Sequence, residues 1–245
     1  SAKNGLKGNI IKFPSISVGA TENAILAAVS AQGKTIISNC AIEPEIQDMI
    51  IFLKKIGSNI NFIGKRKILI IGTKKFKSAS HEIIFDRIEL GTYLIAAALT
   101  GKKITFSKIK SKIIETEIKL LKKMGVKMKI EQNKITVFES SKINGANIKT
   151  EPYPGFPTDL QAQIMVLMLR ATGISKITEN IFENRFMHVP ELRRMGAKIV
   201  TKNNIAFIKG PTNLSGAEVM ATDLRASVSL VLAALIAENR TIINR

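Results

Sequence analysis

Tryptophan is absent from the 245 residues, tyrosine occurs twice and cysteine once. A single thiol, Cys40, excludes an intramolecular disulfide and a cysteine zinc site, and it fits a reducing compartment. The two histidines, His81 and His188, are far apart, so no zinc cluster and no metal cofactor is expected. Long hydrophobic runs are also missing. Tyr93 to Leu99 and Val228 to Ala237 are the longest, well short of the roughly 20 residues that a membrane-spanning helix needs. Ser1 to Gly5 have no apolar segment and no initiator Met, so they read as the edge of a fragment and not as a secretory leader. Acidic side chains are scarce: 37 Lys and Arg stand against 19 Asp and Glu, a formal charge of +18 that favours anionic partners. The basic residues nevertheless fall in short scattered groups such as Lys65-Arg66-Lys67 and Lys122-Lys123, with few aromatics to stack on bases. Neither nucleic acid nor a membrane is the expected partner.

What is present is a foldable composition, 45% hydrophobic and 23% charged, in a chain long enough for one large domain or two modest ones. Two patterns recur along it. An alanine- and leucine-rich helix runs into a turn and a β-rich strand four times: Glu22 to Gly33, Glu89 to Gly101, Asp159 to Gly173 and Asp223 to Asn239, with turn anchors 68, 72 and 66 residues apart. Between these copies lie Leu53-Lys54-Lys55-Ile56-Gly57, Leu121-Lys122-Lys123-Met124-Gly125 and Leu192-Arg193-Arg194-Met195-Gly196. Each reads as a helix end, with basic residues favoured by the dipole and glycine at the C′ position. An alternating hairpin follows each glycine, for example Ile60 to Ile63 turning into Ile68 to Ile71. The repeat is strand, helix, strand, helix, strand, strand, about 70 residues long. The fourth copy stops at Arg245 without its second helix, which predicts an incomplete chain. Ala24 to Ala31 and Val228 to Ala237 are apolar nearly all round, so helices are expected to pack inward and sheets outward.

Several helix starts could carry chemistry. Ser17-Val18-Gly19-Ala20-Thr21 could hold a phosphate on its backbone N–H groups, or be an ordinary turn with Thr21 as N-cap. Pro157-Thr158-Asp159 and Ala221-Thr222-Asp223 each read as a threonine cap followed by a carboxylate that either complements the dipole or faces a cleft. Three prolines in Pro152 to Pro157 make a rigid loop ahead of Asp159, and with Arg225 two residues on, Asp223 reads most simply as a structural ion pair or a loop tether. In Phe182 to His188, Arg185 is the planar donor suited to an anionic or sugar ligand, and His188 is read as a hydrogen-bonded structural residue. Glu43-Pro44-Glu45 is most simply an acidic helix start, and Cys40 is expected to be buried.

Ser17 to Asn23, Glu43 to Ile46, Asp86 to Thr92, Phe156 to Gln163, Phe182 to Gly196 and Ala221 to Ser227, taken in order and spacing, resemble the UDP-N-acetylglucosamine enolpyruvyl transferase family over essentially the whole chain. The resemblance implies an α/β fold of inside-out barrels built from this repeat, with the active site between two barrels. It implies that residues 1–84 are the last repeat of the first, catalytic barrel and that residues 85–245 are most of the second. The implied reaction moves the enolpyruvyl group of phosphoenolpyruvate to the 3-hydroxyl of UDP-N-acetylglucosamine with release of phosphate, the first committed step of peptidoglycan synthesis, in the bacterial cytoplasm.

By the same resemblance, Ser15, Ile16, Ser17, Val18 and Gly19 form the nucleotide-sugar loop, and Ile181 contacts the nucleotide sugar through its backbone. Asp159 is placed at the 3-hydroxyl as general base, with Glu43, Arg185, Asp223 and Arg225 as supporting cleft residues. Ser15 stands where other members carry Lys, and Cys40 does not match the family's loop cysteine. That cysteine, a Lys-Asn pair and two arginines for phosphoenolpyruvate fall before residue 1, and a further arginine falls after Arg245, so this polypeptide alone is expected to be inactive. Because a helix N-terminus stabilises negative charge, Asp159 has orienting the hydroxyl open to it as well as removing its proton. The alternatives are enolpyruvyl-shikimate-phosphate synthase, which lacks the Phe182 to Gly196 string, and a non-catalytic binding remnant of the same fold.

Overall fold

The computed structural model describes residues 3–245; Ser1 and Ala2, part of the expected fragment edge, lie outside them. The chain divides into two compact units, Ser1–Ile84 and Phe85–Arg245. Unit 1 is one repeat: β1 (Ile10–Lys12), α1 (Val18–Ala28), β2 (Lys34–Ser38), α2 (Pro44–Lys55), β3 (Asn59–Gly64) and β4 (Lys67–Ile71). Its sheet runs β1-β2-β4-β3, with β1 and β2 parallel across α1 and the other pairs antiparallel. Alternation sets the faces: Ile68 and Ile70 of β4 are buried, while Lys67 and Ile71 are exposed. They join Ile25, Ile37, Ile46, Ile60 and Cys40 in a core where each buried isoleucine contributes about 1.5–3 kcal/mol.

Unit 2 repeats the plan. Its first copy is α3 (Arg87–Thr100), β5 (Ile104–Ser107), α4 (Glu115–Lys123), β6 (Met128–Glu131) and β7 (Lys134–Val137). Among the described residues no strand precedes α3, and the sheet has three strands, β5-β7-β6. The second copy is complete: β8 (Asn147–Lys149), α5 (Gln161–Arg170), β9 (Gly173–Thr178), α6 (Val189–Arg194), β10 (Ile199–Lys202) and β11 (Ile205–Gly210). Its order, β8-β9-β11-β10, reproduces that of unit 1. The third copy holds β12 (Glu218–Met220), α7 (Leu224–Ala234) and β13 (Ile242–Asn244), with β12 and β13 parallel. Among the described residues the strands form four separate sheets, none of them a closed barrel.

The three basic helix ends stop as the sequence requires. Gly57, Gly125 and Gly196 have φ of +105°, +95° and +93°. Each donates to the carbonyl three residues back, and Ser58, Val126 and Ala197 reach Leu53, Leu121 and Leu192, the paired bonds of a Schellman motif.

Two expectations change. The helix buried on all sides is α5, where Ile164 to Leu169 are at most 1% exposed among α3, α7 and the β9–β11 sheet. In α1 and α7, Leu26 and Val231 are half exposed instead. The helix starts also move. α1 begins at Val18, and Ser17 is its N-cap, accepting from Ala20 N at 3.3 Å. Thr21 lies inside the helix, where its hydroxyl donates to Ser17 O and accepts from Ala41 N.

Candidate functional site

In a βαβ unit the segments leaving two parallel strands emerge at the same edge of the sheet, where ligands gather. In unit 2 that edge receives the segment after β8, which ends in a short 3-10 turn, Thr158–Leu160, and the segment after β9, residues 179–188. Asp159 sits in the turn, Ile181 and Arg185 in the second segment, and Arg225 in the first turn of α7. Three N–H groups converge on Asp159 Oδ1: Arg185 Nη2 at 2.7 Å, Arg225 Nε at 2.9 Å, and Arg225 Nη2. Asp159 remains 41% exposed, against 14% for Arg185.

Arg185 stacks over the Phe182 ring, 4.5 Å from its centre, and its Nε is buried without a hydrogen-bond partner. Burial, and then the neighbouring Arg225, pull its guanidinium below the ordinary arginine range, while Asp159 and Glu179 oppose them. Asp223 is the expected loop tether, accepting from Arg225 N at 2.7 Å, while the Arg225 side chain reaches Asp159. His188 is 2% exposed with an unpartnered Nε2. Burial pushes it down to about 4; Asp223 opposes the shift and Arg185 adds to it.

Two clefts meet at this cluster. One, of about 750 Å³, is lined by Glu179 to Met187 with Thr201, Asn203 and Asn204. The other, of about 680 Å³, includes Asp86, Tyr93, Asp159, Gln163, Leu224 and Arg225. The Arg185–Asp159 pair joins them.

Thr158 does not cap a helix: its hydroxyl donates to Glu179 Oε2 at 2.9 Å. Sequence reasoning missed Glu179, a 3% exposed carboxylate. Its signal was a charge placed directly after the buried end of a parallel strand.

In unit 1 the same topology sets Ser15, Ile16, Ser17, Val18 and Gly19 after β1, and Glu43 after β2. Asn39 Nδ2 donating to Phe13 O, with the Thr21–Ala41 bond, ties the two segments together. Ser17 and Gly19 are exposed, and Glu43 is buried at the start of α2. A Cβ built on Gly19 would meet nothing within 4 Å, so no neighbouring protein atom demands glycine there. Among the described residues no three or more His, Cys, Asp or Glu are placed to hold a metal, and no helix is long and apolar enough to cross a membrane.

The family model for EPSP synthase (3-phosphoshikimate 1-carboxyvinyltransferase) matches residues 2–245. The chain is 56% identical over its whole length to the UDP-N-acetylglucosamine 1-carboxyvinyltransferase of Pelagibacter ubique, covering 59% of that protein. It is 48% identical over 98% of its length to the protein of the same name from Zymomonas mobilis, covering 57% of it. The chain thus spans less than three fifths of these curated relatives. Among solved structures, the enolpyruvyl transferase NikO from Streptomyces tendae superposes with a TM-score of 0.87 at 26% identity, over 93% of this chain and 55% of that one. EPSP synthase from Acinetobacter baumannii, at 19% identity and a TM-score of 0.70, covers 95% of this chain and 57% of that one and shares the fold.

Proposed function

The chain belongs to the EPSP synthase family of carboxyvinyl transferases, and on that premise we propose that the intact protein transfers the enolpyruvyl group of phosphoenolpyruvate to the 3-hydroxyl of UDP-N-acetylglucosamine. The observation that carries the reading is Asp159 held by Arg185 and Arg225 where two clefts meet, in a chain whose curated relatives bear that activity in their names. In the transfer, a bond from the sugar oxygen to the enolpyruvyl carbon replaces that carbon's bond to the phosphate oxygen, and the hydroxyl proton ends, in net terms, on the released phosphate.

The geometry supports the following roles for this chain's own groups. Two guanidiniums gripping Oδ1 fix the plane of the Asp159 carboxylate, which turns Oδ2 towards the acceptor hydroxyl to orient it and take its proton. Arg185 and Arg225 bring positive charge to a site for two phosphorylated substrates. Ile181 meets the nucleotide sugar through its carbonyl, because its N–H is committed to Glu179. Asp223 shapes the Arg225 turn. In unit 1, the first turn of α1 at Ser17, Val18 and Gly19, with Ser15 and Ile16 before it, offers N–H groups to the diphosphate, and Glu43 supports that edge. Unit 1 is then the last repeat of the first, catalytic barrel and unit 2 most of the second, working in the bacterial cytoplasm at the first committed step of peptidoglycan synthesis. The +18 charge serves this cleft in part and is otherwise surface lysine, with no nucleic-acid role.

The test is phosphate release by the intact protein from phosphoenolpyruvate with either acceptor. Turnover with UDP-N-acetylglucosamine and none with 3-phosphoshikimate supports the reading; the reverse overturns it. The polypeptide Ser1–Arg245 alone is expected to release no phosphate, and turnover by it would overturn the assignment of essential groups to sequence outside it.

A further inference from the structure

A carboxylate removed from water needs a full set of donors, and the identity of those donors shows what it holds together. Glu179 is 3% exposed and follows β9 directly. Its Oε1 accepts from Thr150 Oγ1 at 2.8 Å, Ile181 N at 2.9 Å and Phe182 N at 3.2 Å. Its Oε2 accepts from Thr158 Oγ1 at 2.9 Å. The Thr150 hydroxyl in turn accepts from Asn180 N at 2.9 Å. Asn204 clamps the backbone: Glu179 N donates to its carbonyl at 2.8 Å, and its Nδ2 donates to Glu179 O at 2.9 Å.

These donors come from three segments. Thr150 ends the run from β8, Thr158 is the neighbour of Asp159 in the 3-10 turn, and Ile181 and Phe182 open the loop that carries Arg185. Phe182 also underlies the Arg185 guanidinium, which grips Asp159. One buried carboxylate therefore sets both sides of the Asp159–Arg185 pair. Glu179 hydrogen-bonds neither member; it acts on the pair through Thr158, Ile181 and Phe182, and its charge favours the Arg185 guanidinium.

We propose that Glu179 is a positioning residue for the acceptor sugar, fixing the spacing between the Asp159 turn and the Ile181–Arg185 loop. This rests on the acceptor reading above. A carboxylate whose two oxygens bond different segments holds them at one separation, and small misplacement of a reacting group is costly in transfer chemistry. A residue that merely stabilised the fold would act on both substrates alike.

The experiment uses the intact protein with Glu179→Ala, Glu179→Gln and Thr158→Val, reading kcat and the KM of each substrate together with thermal melting. Glu179→Ala is expected to raise the KM for UDP-N-acetylglucosamine and lower kcat by about tenfold or more each, leaving the KM for phosphoenolpyruvate within about twofold. Glu179→Gln keeps the length and the Oε1 acceptor, and Thr158 can reverse its hydroxyl to accept from the amide, so it should rescue to within about threefold. Thr158→Val cuts only the link to the Asp159 turn and should lower kcat with little change in either KM. Equal KM changes for both substrates with a lower melting temperature, or no change in a folded Glu179→Ala protein, overturn the proposal. If Glu179→Ala fails to fold, the Thr158→Val split decides it. Wild-type transfer to 3-phosphoshikimate alone overturns the acceptor reading only, and the same split is then read with that acceptor; transfer to neither overturns both.

Discussion

Unit 1 and unit 2 share one strand order, β1-β2-β4-β3 against β8-β9-β11-β10, yet they furnish equivalent helix starts differently. In unit 1 the start of α1 is uncharged: Ser17 caps it and Gly19 leaves open space. In unit 2 the three corresponding starts carry Asp86, Asp159 and Asp223. Asp86 caps its own helix through bonds from Ile88 N and Glu89 N at 2.7 and 3.1 Å, and Asp223 closes its own turn. Asp159 instead bonds two guanidiniums from other segments. The repeat supplies a backbone edge with exposed N–H groups; the side chain placed there decides whether it awaits an anion, caps itself or presents a carboxylate.

The strongest way to break this comparison is to neutralise acids that share a position but differ in partners. In the intact protein, Asp159→Asn should lower kcat by about 10²–10⁴, the range of general acid–base catalysis. Asp86→Ala should cost about 1 kcal/mol of stability, a lost cap, and leave kcat nearly unchanged. A loss below about tenfold for Asp159→Asn would remove its base role, and equal kinetic losses would dissolve the distinction between the two acids.

The histidines divide the same way, one to each unit. His81 of unit 1 bonds Asp48 Oδ2 at 3.0 Å. His188 of unit 2 is buried and lowered from 6.5 to about 4. Its unfolded form takes a proton as pH falls through 6.5, while the folded form stays neutral until about 4. Stability therefore rises with pH across that window and is lost on acidification, by about 3 kcal/mol in full. His188→Gln should flatten this dependence: its urea midpoint should change less between pH 7 and pH 4.5 than that of the wild type. An unchanged slope would show that His188 is not the group responsible.

The repeat was legible because its signals are local. Basic residues before glycine specify Schellman ends, and β-branched alternation specifies the hairpins. The boundaries of α1 were less so, because Thr21 is a plausible cap in sequence and only the distant Ala41 N–H draws it into the helix. Asp223 tethers the Arg225 N–H two residues away, but the guanidinium's partner, Asp159, lies 66 positions upstream. Glu179 showed in sequence only as a charge at a strand end for the same reason, since its hydroxyl partners lie 29 and 21 residues upstream. A further repeat signal went unread. Gly8, Gly145 and Gly216 each lie two residues before the first strand of a copy, donating to Gln32 O, Thr172 O and Glu238 O.

Those glycines test whether the two units are equivalent as scaffolds. A Cβ on Gly8 would collide with the Lys34 backbone and one on Gly216 with the Arg240 backbone, whereas on Gly145 it would stand 3.1 Å from Ile174 O. Gly8→Ala and Gly216→Ala should each destabilise by about 1–3 kcal/mol, and Gly145→Ala by less, in urea unfolding of the intact protein. A markedly smaller cost at Gly8 than at Gly216 would mean that the repeats tolerate different strand approaches.

The smallest expected effect separates scaffold from chemistry in unit 1 itself. Gly19 lies in the first turn of α1 with nothing within 4 Å of a built Cβ, so neither a clash nor a positive φ keeps glycine there. Alanine in a helix is favoured over glycine by about 0.5–1 kcal/mol, so Gly19→Ala should leave the melting temperature of the intact protein unchanged or raise it by a few degrees. If the N–H groups of this turn receive a diphosphate, the added methyl crowds that approach, and the KM for UDP-N-acetylglucosamine should rise while the KM for phosphoenolpyruvate stays put. Higher stability paired with weaker acceptor binding is a combination that no packing role produces. A variant that gains stability at unchanged KM would remove the ligand from this turn and leave its lack of charge without a function.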